Sequence, residues 1–211
     1  MARRTKTAAK ETRESILDAA IKVFYERGVA RASLSEIAEL AGVTRGAVYV
    51  HFRDKADLVW ALSQRIRFPA DALRDVSPDA IALDPLGELQ RQWLTLFQEL
   101  AHNKEWQLIF AIVMHRIELV TESGAIRDRV MEGHTRVLSK MKHFLTLAVE
   151  HGQLPAQLDV DMAAMVLNGS LMGVLEDWLM KPDAYDLPAV GERAVEAIFG
   201  MLHLAPLSRP L

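Results

Sequence analysis

Between Thr44 and Lys55 the chain reads TRGAVYVHFRDK, and its polar residues suit contact with nucleic acid rather than the making or breaking of bonds. Arg45 offers a planar cation for a phosphate or for the edge of a guanine. Gly46 and Ala47 are small enough to let a helix come close, and Tyr49 and His51 carry donors for phosphate oxygens. Lys55 follows at the start of the next helix, where its charge and the helix N-terminus together suit a phosphate.

These side chains act together only if local structure holds them on one face. Ser33, with Glu36 three residues on, makes a capping box, so a helix begins at Leu34. Leu34, Ile37, Ala38 and Ala41 recur on one stripe, and Gly42 is placed to end that helix in the left-handed conformation. After a three-residue turn, Thr44 caps a second helix over Arg45 to Phe52, with Val48 and Phe52 turned inward. Two short helices around a glycine turn are the pattern of a helix-turn-helix, whose second helix lies in the major groove of DNA. A plain αα-hairpin has the same pattern, and the chemistry of the second helix is what favours DNA.

The composition limits the alternatives. The chain has 211 residues, half of them apolar, and no cysteine, which excludes disulfides, thiol catalysis and cysteine-ligated zinc. The basic opening MARRTKTAAKETRES lacks the apolar stretch of a signal peptide, and the longest apolar run, near Leu108 to Met114, is far short of the ~20 residues that span a membrane. A cytoplasmic location with no membrane partner is expected. The net charge of −3 is segregated: residues 1 to 67 hold 13 Lys and Arg against 8 Asp and Glu, and the remainder is acidic. A basic N-terminal unit beside an acidic one fits a phosphate-binding domain joined to a domain with another task.

Periodicity gives an all-α chain of about nine helices. A basic arm with Arg3, Arg4, Lys6 and Lys10 precedes the first helix, which starts near Thr12 and stops at Gly28. Asp54 caps a fourth helix that reaches Phe68, just before Pro69, and residues 75 to 87 read as a loop with one short helical turn at most. Five further helices follow, at about 88–102, 104–120, 124–152, 161–180 and 188–204. The division expected is a DNA-binding domain over residues 1–53 and a second domain over 54–211, with the helix from Asp54 as connector.

Residues 12 to 58, ETRESILDAAIKVFYERGVARASLSEIAELAGVTRGAVYVHFRDKADL, closely resemble the three-helix DNA-binding domain of the TetR family of bacterial transcriptional regulators. A fainter likeness to the AcrR-type regulators of multidrug efflux runs through the MARRTK opening, DPLG at 84–87, GQLPAQLD at 152–159 and Trp178. The resemblance implies a homodimeric repressor that binds a palindromic operator in double-stranded DNA near an efflux operon, is released by a hydrophobic small molecule, and needs no cofactor. It implies that Arg45, Gly46 and Ala47 face bases, while Thr44, Tyr49, His51 and Lys55 hold phosphates. Val50 departs from the pattern, since such relatives usually have tryptophan there, so their local backbone contact and operator are not carried over.

The C-terminal part is rich in large soft side chains, which at helical spacing describe a core as readily as a ligand pocket. The resemblance implies a cavity between the middle helices, walled by Leu89, Trp93, Phe110, Met114, Val137, Met141, Asn168 and Met172, with Asn168 and Glu118 as polar anchors. Gly169 and Gly173 allow close helix approach. With Leu171, Leu175, Trp178, Val195, Ile198, Phe199 and Leu202 they suggest a four-helix interface between two subunits, or else a cap on the chain's own core. Three other functions stay open: a regulator with a metabolic inducer, one with no inducer, and a metal-binding helical-bundle enzyme using His115 and Glu118. The last is weak, because a di-iron site needs Glu-x-x-His twice with further carboxylates and here the order is reversed.

Overall fold

The computed structural model describes residues 2–66, 78–117 and 124–204. They form ten helices and no strand: α1 Ala2–Arg27, α2 Leu34–Leu40, α3 Arg45–His51, α4 Lys55–Ser63, α5 Pro78–Leu83, α6 Pro85–His102, α7 Lys104–His115, α8 Gly124–Glu150, α9 Val160–Met180 and α10 Leu187–Met201. Two compact units emerge, one of residues 1–66 and 105–132, the other of 67–104 and 133–211. The boundary expected at 53/54 does not coincide with this division, because α4 and α7 belong with the DNA-binding helices.

In the first unit α1 packs against α2, α3 and α4 around Ile16, Phe24, Ile37, Val48, Leu58 and Leu62, all with no exposed surface. The capping box forms as read: Ser33 Oγ accepts from Glu36 N at 3.2 Å, and Glu36 Oε2 accepts from Ser33 N at 2.9 Å. The Ser33 N–H chiefly, with help from the Ser33 hydroxyl, holds the Glu36 carboxyl below its ordinary pKa. Gly42 closes the turn at φ +68°, a conformation that a side chain would strain. Asp54 caps α4 by accepting from Asp57 N at 2.8 Å.

Two expectations about this unit are corrected. Helix α1 starts at Ala2, so the basic residues before Thr12 are helical rather than an arm. Nothing between Ala2 and Thr12 breaks a helix, and the Thr12 hydroxyl donates to Ala8 O at 3.0 Å instead of capping a new start. Helix α4 stops at Ser63, with the Gln64 N–H turned back to Leu62 and Trp60 carbonyls, well before Pro69; the stretch from 67 to 77 lies outside the described residues.

Just past that end, Arg65 gathers three acids. It donates to Glu14 Oε2 at 2.6 Å and Asp18 Oδ1 at 2.7 Å, both on α1, and to Glu105 Oε1 at 3.0 Å on α7. At its other end α7 is also tied: Val29 N donates to Arg116 O at 2.9 Å, and the Arg116 guanidinium lies 5.5 Å from the centre of the Tyr25 ring.

The second unit is held by α6 against α10, α10 against α9 and α5 against α6. The short α5 fills part of the stretch read as a loop with one short helical turn. Gly191 sits where a Cβ would run into the Phe97 ring, so α10 comes close to α6 only because that residue is glycine. The DPLG and GQLP segments are one lock. Asp84 Oδ1 accepts from Gly87 N at 2.9 Å and from Gln153 Nε2 at 2.8 Å, while Gln153 Oε1 accepts from Leu86 N at 3.1 Å. The bond from Gln153 chiefly, with help from Gly87 N–H and Arg91, holds the Asp84 carboxyl below its ordinary pKa.

Candidate nucleic-acid interface

The site is built on α3, a helix of only seven residues whose orientation is set by its buried side. Val48 is fully buried and Phe52, at the C-cap, is 3% exposed; the Arg13 guanidinium covers the Phe52 ring at 5.2 Å. Thr44 starts the helix with extended backbone and accepts from Ala47 N at 3.2 Å. Its hydroxyl proton stays available, so one residue can cap the helix and still donate to a phosphate.

Burial of Val48 and Phe52 turns Arg45, Gly46, Tyr49 and Val50 outward, whereas Ala47 and His51 lie half-buried at the margin. Arg45 Nη2 donates to Tyr49 Oη at 3.1 Å and its guanidinium lies 5.5 Å from the centre of the Tyr49 ring. Gly46 is informative because the protein does not need it. A Cβ there would meet only Thr44 Oγ1, at the ordinary contact distance of 3.8 Å. Glycine in a helix costs about 0.5–1 kcal/mol relative to alanine, and the packing around Gly46 leaves room for the Cβ that alanine would add.

Lys55 is placed differently from the expectation. Its Nζ donates to the carbonyls of Val29 (2.7 Å), Ala30 (2.6 Å) and Ala32 (3.0 Å), which uses all three donors of an ammonium. It braces the α1–α2 turn against the start of α4 and has no N–H left for a phosphate in this conformation. Burial holds its pKa below the ordinary lysine value. Neighbouring Arg53 is committed as well, in a two-pronged pair with Asp57 at 2.8 and 3.0 Å. Sequence reasoning missed Arg65. Its signal was the pair Glu14 and Asp18, two acids one helical turn apart that repel each other without a cation between them.

The residues expected to wall a ligand cavity divide between the units. In the second, Leu89, Trp93, Met141 and Asn168 are buried, and Val137 and Met172 half-buried. In the first, Phe110 is buried and Met114 exposed, and Glu118 lies outside the described residues. Trp93 packs its ring 6.2 Å from that of Phe97, and its buried Nε1 has no hydrogen-bond partner among the described residues.

The set expected at a dimer interface also divides. Leu175, Trp178, Val195, Phe199 and Leu202 are at most 4% exposed, as is Leu171, so they fill the chain's own core and offer a partner no surface. Trp178 Nε1 is satisfied at home, by the Tyr185 carbonyl at 3.2 Å. Gly169 and Gly173 are exposed, and a Cβ at either would meet nothing; Ile198 is half-buried. Gly169 and Gly173 share an outward face of α9 with Met162 and Met165, 45% and 54% exposed.

Comparison with known proteins agrees with this architecture. Residues 16–62 match the model for bacterial regulatory proteins of the tetR family, and residues 84–204 match that for the C-terminal region of MAATS-type transcriptional repressors. The probable HTH-type transcriptional regulator ArpR of Pseudomonas putida is 40% identical over 213 residues, covering 99% of this chain and all of that protein. Among solved structures, NalD, the secondary repressor of the MexAB-OprM multidrug efflux pump in Pseudomonas aeruginosa, is 30% identical with a TM-score of 0.79, covering 92% of this chain and 97% of its own. A complex of SmeT with triclosan is 29% identical with a TM-score of 0.79, covering 94% and 95%. These are transcriptional regulators, which sets aside the metal-enzyme alternative.

Proposed function

The chain belongs to the TetR family of bacterial transcriptional regulators, and from that premise we propose that it is a cytoplasmic homodimeric repressor of a multidrug efflux operon, released from a palindromic operator by a hydrophobic small molecule. The observation that carries the DNA half is the outer face of α3, where a paired Arg45 and Tyr49 stand beside a glycine that the protein's own packing does not require. Arg45, Gly46 and Ala47 meet base edges. Thr44, Tyr49 and His51 hold phosphates, and Lys55 acts from behind by fixing the turn that presents them.

The ligand half is supported by Trp93. A buried indole N–H without an acceptor costs about 1–3 kcal/mol, and an inducer carrying an acceptor would relieve it. That inducer lies within the second unit, against Leu89, Trp93, Val137, Met141, Asn168 and Met172. The repressor of an efflux pump and the triclosan complex among the similar structures favour an apolar, drug-like compound over a metabolic inducer.

The dimer half rests on α9. Its outward Met162, Met165, Gly169 and Gly173 give a partner helix both apolar surface and room for close approach. Two recognition helices would then stand about 34 Å apart, one turn of DNA. The test is to enrich duplexes from a random pool with the full-length chain and footprint the winners. The proposal requires two inverted half-sites spaced by about one turn, occupied by two chains. A single asymmetric site bound by one chain would overturn it.

A further inference from the structure

We propose that Val50 reads the C5-methyl group of a thymine in each operator half-site; this inference rests on the DNA-binding reading of α3. Three observations lead to it. Val50 is 80% exposed, more than any other large apolar side chain among the described residues of the first unit. A lone exposed apolar residue is ordinary, but this one lies on the same side of α3 as Gly46, four residues earlier, and opposite the buried Val48. Arg45 and Tyr49 meanwhile hold each other on the flank of that face, joined by the 3.1 Å hydrogen bond. The part of the helix that comes nearest to a surface it lies against is therefore Gly46 and Val50, a gap followed by an isopropyl group.

That arrangement has no internal use. Gly46 packs against nothing a Cβ would disturb, and a β-branched residue in an exposed helical position is a poorer helix former than alanine. Valine also offers neither donor nor acceptor, so it cannot recognise a phosphate or the polar edge of a base. In the major groove the one apolar feature that differs between unmodified base pairs is the thymine methyl. Gly46 lets the helix sink far enough for the valine methyls to touch it, and a cytosine at that position would leave them facing a bare C5–H with no methyl to meet.

The test uses the full-length chain and a duplex that it has itself enriched from a random pool. Each thymine is replaced singly by uracil, which pairs identically and lacks only the methyl group. The expected result is one thymine per half-site whose replacement weakens binding by about three- to fivefold, the worth of one buried methyl group. With Val50→Ala, which removes both methyl groups that reach the base, that sensitivity disappears, and with Val50→Thr, which keeps one of them, it is reduced but present; both variants unfold like the parent because the side chain is on the surface. If no thymine is sensitive, or the sensitive one stays so in Val50→Ala, the inference is overturned and the DNA-binding reading stands. Failure to enrich any sequence would overturn both.

Discussion

Arg45 and Tyr49 are joined before any DNA arrives: the arginine Nη2 donates to the tyrosine Oη at 3.1 Å, and the guanidinium lies against the ring. An arginine so held loses less rotamer freedom on reaching a base or phosphate than a free one would. Arg45→Ala is therefore expected to weaken operator binding about tenfold to a hundredfold and to flatten the preference at one base pair in each half-site. Tyr49→Phe, which keeps the ring and removes only the hydroxyl, should weaken binding several-fold with the preference retained. Fluorescence anisotropy on a set of singly altered duplexes measures both.

Gly46 should separate stability from function. Because a Cβ has room there, Gly46→Ala is expected to raise the unfolding free energy by about 0.5 kcal/mol and to weaken DNA binding about tenfold or more, since the added methyl group holds the helix off the groove. Urea unfolding and DNA titration of the same preparation would show the opposite signs. A variant that binds as well as the parent would mean that α3 does not approach DNA along this face.

Lys55 can act as a brace or as a phosphate ligand, and the two leave different traces. As a brace across three carbonyls, its replacement by alanine should lower stability by about 1–3 kcal/mol and leave the slope of log affinity against log salt unchanged. As a phosphate ligand, its loss would reduce that slope by about one, with stability unaffected. The first result is expected.

Asp84 should give the second unit a pH dependence of known sign. Its carboxyl is held below the ordinary aspartate value of 3.8, so the folded chain binds that proton less readily than the unfolded chain does. The stabilisation is then complete above about pH 4 and is lost as the pH falls through the lower folded value. Asp84→Ala is expected to cost about 1–2 kcal/mol at neutral pH, and the difference from the parent should shrink as the pH falls below 4. Thermal unfolding over a pH series would follow it.

What the sequence makes legible here is mostly local. Ser33 with Glu36, Thr44 and Asp54 cap their helices as read, because a cap joins residues three apart and owes little to the rest of the fold. Contacts between distant residues were not legible. DPLG and GQLP were visible as two segments, but that Asp84 and Gln153 lock them together is seen only in three dimensions. The same holds for Lys55, whose charge suits a phosphate until the three carbonyls around it are seen. On α9 and α10, helical spacing marks apolar residues without saying which side they face: Leu175, Trp178, Val195, Phe199 and Leu202 line the chain's own core, and Gly169 and Gly173 look outward.

The central claim is that DNA and an apolar ligand oppose each other through this chain. Its most direct measurement is a pair of titrations with triclosan as the probe: affinity for the enriched operator with and without the compound, and affinity for the compound with and without operator, followed by tryptophan fluorescence. Linkage requires both affinities to fall by the same factor, and a coupling of ~1–3 kcal/mol makes that factor about five to a hundred. Triclosan that binds while operator affinity stays unchanged would contradict the claim.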